Sequence, residues 1–307
     1  MDRIAYGKKY PFGAVVALGY FDCLHKGHRE IISAAKKIAA ALGAKTLMFT
    51  FDDDASGFYG KVGGSVYTLS ERISAAESLG VDGVISATFD EEFRSTTAED
   101  FIEKLLRVYE IKGFVCGFDY TFGRGGAGDA KTLRRICSDK GVLLEVVDEI
   151  TSGGEKISTT AIKKHLSEGN VAAANELLGD RYFIEGKVVR DRGVGRTLGF
   201  PTANVNIPPE KFRIKSGVYK THTVIDGKEY ASVTNYGSRP TFELLETLAE
   251  TYIDGFDGDI YGKTIRVYFE GYIRPVIKFD TVDELIERLN KDKETIANDK
   301  IRTERKQ

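Results

Sequence analysis

The chain has 307 residues, with 44 Lys plus Arg against 46 Asp plus Glu, for a formal net charge of −2 at pH 7. That balance offers no basic excess to grip a phosphate backbone, which argues against a dedicated nucleic-acid binder. Hydrophobic residues make up 42% and charged residues 29%, as in a globular chain with a real core, and the length suits about two domains.

No stretch approaches the roughly 20 apolar residues that span a bilayer. The basic N-terminus and its short apolar run lead into Tyr20-Phe21-Asp22 rather than into a signal-peptide cleavage site. Cys23, Cys116 and Cys137 are too few and too scattered for a disulfide framework. These features predict a cytoplasmic protein without a membrane or nucleic-acid partner. They leave the oligomeric state open.

Along the first half, strand-like and helix-like segments alternate. Ala14–Leu18 reads as a buried strand, His28–Leu42 as a helix stopped by Gly43, and Lys45–Phe51 as a second strand. Ser70–Leu79 reads as a helix and Gly83–Ala87 as a strand. Thr97–Tyr109 reads as a helix with Asp100 placed as in a capping box. Phe114–Cys116, Asp129–Lys140 and Val142–Val147 continue the series. Such alternation predicts an α/β, doubly wound parallel-sheet domain over residues 1–180.

Near Asp180 the pattern becomes strand-rich. Tyr182–Arg190, Gly217–Ile225, Lys228–Tyr236 and Thr264–Tyr272 are strand-like, and Asp226-Gly227 is a hairpin turn signal. A closing helix runs from Val282 to about Asn298. Thr281 caps it, and Val282, Leu285, Ile286 and Leu289 form its apolar stripe. The second half, 181–307, is read as a β-barrel domain with a C-terminal helix.

Gly19-Tyr20-Phe21-Asp22-Cys23-Leu24-His25-Lys26-Gly27-His28 joins the first strand to the first helix. In open parallel sheets, ligands bind beyond the carboxyl ends of the strands, and a helix start favours phosphate. Gly27 admits close approach of a ligand. His25 and His28 can donate hydrogen bonds to charge developing on a transferring or leaving phosphate. A zinc site is not expected, because two His three apart need further ligands and no paired Cys or third clustered His is visible. Cys23 is expected to be buried and inert.

The His-x-Gly-His turn resembles the signature of a nucleotidyltransferase superfamily. Two later segments narrow the likeness, Gly117-Phe118-Asp119-Tyr120-Thr121-Phe122-Gly123 and Lys156-Ile157-Ser158-Thr159-Thr160-Ala161-Ile162-Lys163. They resemble the FMN adenylyltransferase module of prokaryotic FAD synthetases. The resemblance implies ATP binding by Gly19, Phe21, Asp22, His25, Gly27, His28, Ser158, Thr159, Thr160 and Lys163, with His28 catalytic. It implies flavin binding by Asp119, Phe122 and Gly123. Three features depart from the family pattern: Lys163 stands where Arg is usual, Asp52-Asp53-Asp54 replaces a His- and Pro-rich segment, and Gly126 stands where Arg is frequent.

Gly186-Lys187-Val188-Val189-Arg190-Asp191-Arg192-Gly193-Val194-Gly195-Arg196 is a basic, Gly-rich loop suited to cradling phosphates. Pro201-Thr202-Ala203-Asn204 follows. Thr202 and Asn204 are two apart on an extended chain, so their oxygens share a face and suit a Mg²⁺ that also takes phosphate oxygens. With Asn235–Phe242, Glu250–Asp254, Gly258–Lys263 and Gly271–Pro275, this series resembles riboflavin kinases over nearly all of residues 182–300. The resemblance implies ATP binding by Gly186, Lys187, Arg190, Gly193, Gly195, Arg196 and Thr202, and metal binding by Thr202 and Asn204. It also implies flavin contact by Arg274 and Glu250 as general base.

The order of modules resembles a bifunctional riboflavin kinase/FAD synthetase of the prokaryotic type. It implies Mg²⁺ as cofactor, ATP as co-substrate, and riboflavin, FMN and FAD as substrates and products. Two rivals are a kinase with a degenerate adenylyltransferase domain and a non-catalytic flavin-binding regulatory protein.

Overall fold

A computed structural model of the chain describes residues 1–52, 63–190, 199–240, 245–296 and 302–303. It divides into two compact units, Met1–Thr159 and Thr160–Gln307.

In the first unit the strands are β1 (Asp2–Ala5), β2 (Ala14–Leu18), β3 (Lys45–Phe51), β4 (Gly83–Ala87), β5 (Ile111–Gly117) and β6 (Leu143–Val147). They form one sheet in the order β1-β4-β3-β2-β5-β6, with every pair parallel. The helices are α1 (Lys26–Ala41), α2 (Leu69–Ser78), α3 (Glu91–Ser95), α4 (Ala98–Val108) and α5 (Ala130–Lys140).

Every residue of β2 is fully buried, which explains its unbroken apolar run. Val15 and Ala17 pack with Ile31, Ile32 and Ala35 of α1 and with Ile73 and Ala76 of α2. Val16 and Leu18 pack on the other face with Phe101, Ile102 and Leu105 of α4 and with Leu133 and Ile136 of α5. The sheet is therefore covered on both sides. Winding runs outward from β2 in both directions, so the strand order reverses between β2 and β5. A crevice opens beyond the carboxyl ends at such a reversal, and the turn after β2 lies there.

The small hairpin β7 (Thr151–Ser152) and β8 (Glu155–Lys156) falls near the end of the first unit, and helices α6 (Thr159–Glu168) and α7 (Val171–Leu178) open the second. Strands β9 (Phe183–Val189), β10 (Thr202–Asn206), β11 (Gly217–Ile225), β12 (Lys228–Pro240), β13 (Leu245–Ile253) and β14 (Thr264–Arg274) follow. They pair antiparallel in the order β11-β14-β9-β10-β13-β12, and the β11–β12 pairing closes the barrel. Asp226 and Gly227 both have positive φ, 50° and 78°, as the hairpin between β11 and β12 requires. Helix α8 (Val282–Glu294) and strand β15 (Arg302–Thr303) complete the described chain.

The barrel interior is partly polar. Thr221, Thr223, Ser232, Thr234 and Thr251 are fully buried, and their hydroxyls bond to one another at 2.8–2.9 Å. Each buried hydroxyl thus finds a partner within the wall.

Several elements escape a reading by periodicity. The four residues of β1 bury only Ile4 and gain their identity from pairing with β4. Helix α3 is a single short turn with no buried residue. Strand β13 pairs with β10 on one edge and with β12 on the other. The apolar stripe of the last helix is only half-buried, with Val282 56% exposed, and its buried residue is Asp292.

The packing division falls before α6, whereas the change in sequence pattern falls near Asp180. Helix α7 packs on β14. Asn175 explains why: its Oδ1 accepts from the Tyr182 N–H at 2.7 Å and its Nδ2 donates to the Phe269 carbonyl at 2.9 Å. Asn175→Ala leaves both backbone groups without that partner, so the second unit should lose about 1–3 kcal/mol in urea unfolding. An unchanged unfolding midpoint would show that α7 does not brace the barrel.

Candidate functional sites

The turn between β2 and α1 is strained and tightly packed. Phe21 and Leu24 adopt left-handed φ values of 52° and 49°, unusual for non-glycine residues. Both are fully buried, so packing holds them there. A Cβ on Gly19 would come within 2.9 Å of the Phe21 ring, and one on Gly27 within 3.2 Å of the His25 ring. Asp22 is buried, and its Oδ1 accepts from the Tyr67 N–H at 3.4 Å.

His25 is the N-cap of α1, and its Nδ1 accepts from the His28 N–H at 3.2 Å. An accepting Nδ1 puts the proton of the neutral ring on Nε2. The His25 and His28 rings stack, with centroids 3.6 Å apart and planes 11° apart, and the Phe21 ring meets His28 edge-on at 5.0 Å. Burial pushes His25 down to about 4. Burial, reinforced by His25, holds His28 well below the ordinary histidine value. Both imidazoles are therefore neutral at pH 7 and serve as hydrogen-bond donors rather than as cations.

Cys23 corrects one expectation. Its sulfur and the two rings each offer a ligand atom, and these atoms lie within 4.8 Å of one another. A third metal-ligating side chain therefore does neighbour the histidines. The Cys23 Sγ also lies 3.7 Å from Thr159 Oγ1.

Thr159 of the later motif is thereby placed beside the turn. Helix α6 starts at Thr159, so Ser158 immediately precedes it, and Thr160 is exposed. The Lys163 ammonium sits over the Phe212 ring at 5.4 Å. The Phe122 ring is buried in the core and stacks on Tyr120, and its backbone pairs with Gly128. Gly123 has a φ of 74°, and a Cβ there would lie 2.6 Å from the Ala98 nitrogen. Asp119 is exposed, 3.8 Å from the Lys156 ammonium. Gly126 also has positive φ. Asp52 accepts from the Thr88 hydroxyl at 3.0 Å, while Asp53 and Asp54 lie outside the described residues.

In the second unit, the barrel register brings together residues far apart in sequence. Asn204 of β10 and Asn235 of β12 each pair with Glu250 of β13. Thr251 and Thr234 point into the barrel, so the two-residue period turns Glu250, Asn204, Thr202 and Asn235 to its outer face. The Thr202 hydroxyl donates to Glu250 Oε1 at 3.0 Å. Asn204 is buried, and its Oδ1 has no hydrogen-bond partner. A buried oxygen left unpaired beside a hydroxyl and a carboxylate fits an oxygen-seeking cation.

The same outer face carries Val233, Tyr252 and Ile273, packed with Ile296. Arg274, expected to contact flavin, is buried. Its Nε donates to both carboxylate oxygens of Asp292 at 3.0 Å, and its Nη1 donates to the Pro275 carbonyl. It thus ties α8 to β14. Gly186 lies in the barrel wall, where a Cβ would come within 2.6 Å of Val205 Cγ1. Lys187 is exposed, and the Arg190 guanidinium stacks over Tyr261 at 4.6 Å. Gly193, Gly195 and Arg196 lie outside the described residues. Asn235 was read only as part of a motif and Asp292 not at all, because only the register and the docking of α8 place them.

A doubly wound nucleotidyltransferase domain with a His-x-Gly-His turn, joined to an antiparallel barrel of the riboflavin kinase class, defines a two-module flavin nucleotide enzyme. Residues 7–161 match the FAD synthetase family, and residues 178–299 match the riboflavin kinase family. The chain is 34% identical to a bifunctional riboflavin kinase/FMN adenylyltransferase of Listeria monocytogenes, over 91% of this chain and 90% of that one. It is 34% identical to that of Bacillus subtilis, over 92% and 90%. A solved structure from Streptococcus pneumoniae, described as a macrolide-efflux protein, matches with a TM-score of 0.85 at 31% identity, over 97% of this chain and 99% of that one. The chain belongs to the bifunctional riboflavin kinase/FMN adenylyltransferase family. No described helix is long and apolar enough to cross a membrane.

The buried His25 gives a pH signature. Its folded value of about 4 lies below the unfolded value, so the unfolded chain binds more protons between the two. Its stabilising contribution is full above about pH 6.5 and is lost as pH falls toward 4. His25→Asn keeps a cap acceptor but cannot titrate. Between pH 7 and 5 the wild type should therefore lose about 2 kcal/mol more than the variant. Parallel pH dependences in calorimetry would refute the burial argument.

Proposed function

We propose that this cytosolic chain makes FAD from riboflavin in two ATP-dependent steps, riboflavin to FMN with release of ADP, then FMN to FAD with release of pyrophosphate. The first step is assigned to the barrel, residues 181–307 braced by α6 and α7, and the second to residues 1–180. The observation that carries the proposal is the Thr202–Asn204–Glu250 set on the outer barrel face. Mere flavin binding would need no carboxylate next to an unpaired buried oxygen.

For phosphorylation, the Thr202 hydroxyl and Asn204 Oδ1 would hold Mg²⁺, which when bound neutralises charge on the ATP phosphates. Glu250 takes the proton of the terminal ribityl hydroxyl as that oxygen attacks the γ-phosphate. The Thr202 hydroxyl, donating to Glu250 Oε1, orients the carboxylate. Arg274 acts indirectly, by fixing α8 against the same face through Asp292.

For adenylylation, an oxygen of the FMN phosphate attacks the α-phosphate of ATP and pyrophosphate leaves. The nucleophile is already ionised, so no base is required. The His25 Nε2–H and the His28 ring donate hydrogen bonds to phosphate oxygens as negative charge moves onto the leaving group. Neutral rings serve here, since each must donate without first losing a proton.

Purified chain incubated with riboflavin, ATP and Mg²⁺ should yield FAD. FMN alone would mean a degenerate adenylyltransferase, and unchanged riboflavin a binding protein. Glu250→Gln should cut FMN formation by about 10²–10⁴-fold while leaving affinity for riboflavin and FAD formation from supplied FMN nearly unchanged. Normal turnover of this variant would move the base elsewhere. His28→Ala should lower FAD formation by about 10²–10³-fold and spare FMN formation. An equal loss of both activities would overturn the two-site assignment.

A further inference from the structure

The turn after β2 gathers more than its role with ATP requires. A thiol and two imidazoles lie within 4.8 Å of one another, the one such group of three among the described residues. The Nδ1 of His28 is buried and has no hydrogen-bond partner. Cys23 is 1% exposed, so its thiol is shielded from solvent.

We propose that Cys23, His25 and His28 form a binding site for a borderline-soft divalent cation, with Zn²⁺ the natural candidate, and that its occupancy blocks adenylylation. The inference rests on the reading of this turn as the ATP site. Thiolate and imidazole ligands select zinc over Mg²⁺, which takes oxygen ligands. The magnesium used with ATP therefore does not compete for these atoms.

The geometry is within reach. Bonds of about 2.0–2.3 Å to a tetrahedral ion put neighbouring ligand atoms roughly 3.3–3.8 Å apart. The cluster must contract by about an ångström, and the stacked rings must tilt apart to aim both lone pairs at one point. The Cys23 thiol loses its proton to solvent as the Zn–S bond forms, and the two rings bind neutral. His25 must release the His28 N–H that its Nδ1 now accepts, since a ligating ring carries a proton on its other nitrogen. Three protein ligands leave a fourth position for water.

Occupancy blocks catalysis because the two rings must tilt toward the ion, so their N–H donors are no longer aimed at a phosphate. Loss of the His25 cap also loosens the first turn of α1, whose free N–H groups favour phosphate. The barrel has its own residues and is untouched.

The test uses the full chain, freshly reduced, and Co²⁺ as an optical probe. One equivalent should produce the near-ultraviolet thiolate-to-cobalt band and the visible bands of a tetrahedral ion, and Zn²⁺ should bleach both. Cys23→Ala should abolish the thiolate band, whereas the double variant Cys116→Ala, Cys137→Ala should retain it. In parallel, stoichiometric Zn²⁺ in excess Mg²⁺ should slow FAD formation from FMN at least tenfold and leave FMN formation from riboflavin unchanged. Chelation should reverse the effect. Cys23→Ala should make FAD near the wild-type rate and resist zinc. No thiolate band in the wild type, a band that survives Cys23→Ala, or a variant as zinc-sensitive as the wild type would overturn the site. Zinc that binds without slowing FAD formation would overturn the block. Absence of FAD formation without zinc would refute the functional reading of the turn, and the cobalt titration would still decide the metal site.

Discussion

One hydrogen bond organises the turn between β2 and α1, the His28 N–H to His25 Nδ1 contact at 3.2 Å. It starts helix α1 where the sheet order reverses. It fixes the His25 tautomer, so the donor on Nε2 is left free. It also sets the spacing that stacks the two rings. A Ser or Asp cap would start the helix as well, but it would place no imidazole over the neighbouring one. Around that bond, the turn tolerates two left-handed non-glycine residues, because Phe21 and Leu24 are completely enclosed.

The second unit solves a different problem. A closed barrel has no free edges, so its wall can hold a fixed register, and register decides which side chains meet. Asn204, Asn235 and Glu250 lie on three neighbouring strands and face one way only because β10, β13 and β12 pair as they do. Inside, the hydroxyl ladder from Thr223 to Thr251 satisfies its own polar groups. Outside, the buried Arg274–Asp292 pair anchors α8 beside the same face. Removing one member of such a pair strands a buried charge, which makes the pair an effective latch for a helix whose apolar stripe is only half-covered.

The two sites also illustrate how burial and exposure divide chemical labour. Burial in the first unit keeps the histidines neutral and their donors directed. The same burial keeps their lone pairs open to a soft metal once Cys23 is close by. In the second unit a half-buried carboxylate stands on an outer wall and accepts from the Thr202 hydroxyl.

The sequence alone determined the class of both modules. The unbroken apolar run of Ala14–Leu18 requires a strand covered on both faces, and the turn after it falls where open parallel sheets generally place their ligands. Asp226-Gly227 fixed a hairpin, and the spacing of Thr202 and Asn204 fixed two oxygens on one side of a strand. These are local properties, set by period and by backbone preference. What lay beyond them was decided by contacts between distant segments. Strand β1 exists because β4 offers an edge, and α7 belongs with the barrel because Asn175 bonds two of its backbone groups. Phe122 is spent on the core, Arg274 is spent on Asp292, and Cys23 becomes a neighbour of two imidazoles through a turn closed by packing. A side chain's type limits what chemistry it can do, but its partner is chosen by the fold, and partners far apart in sequence leave no periodic trace in it.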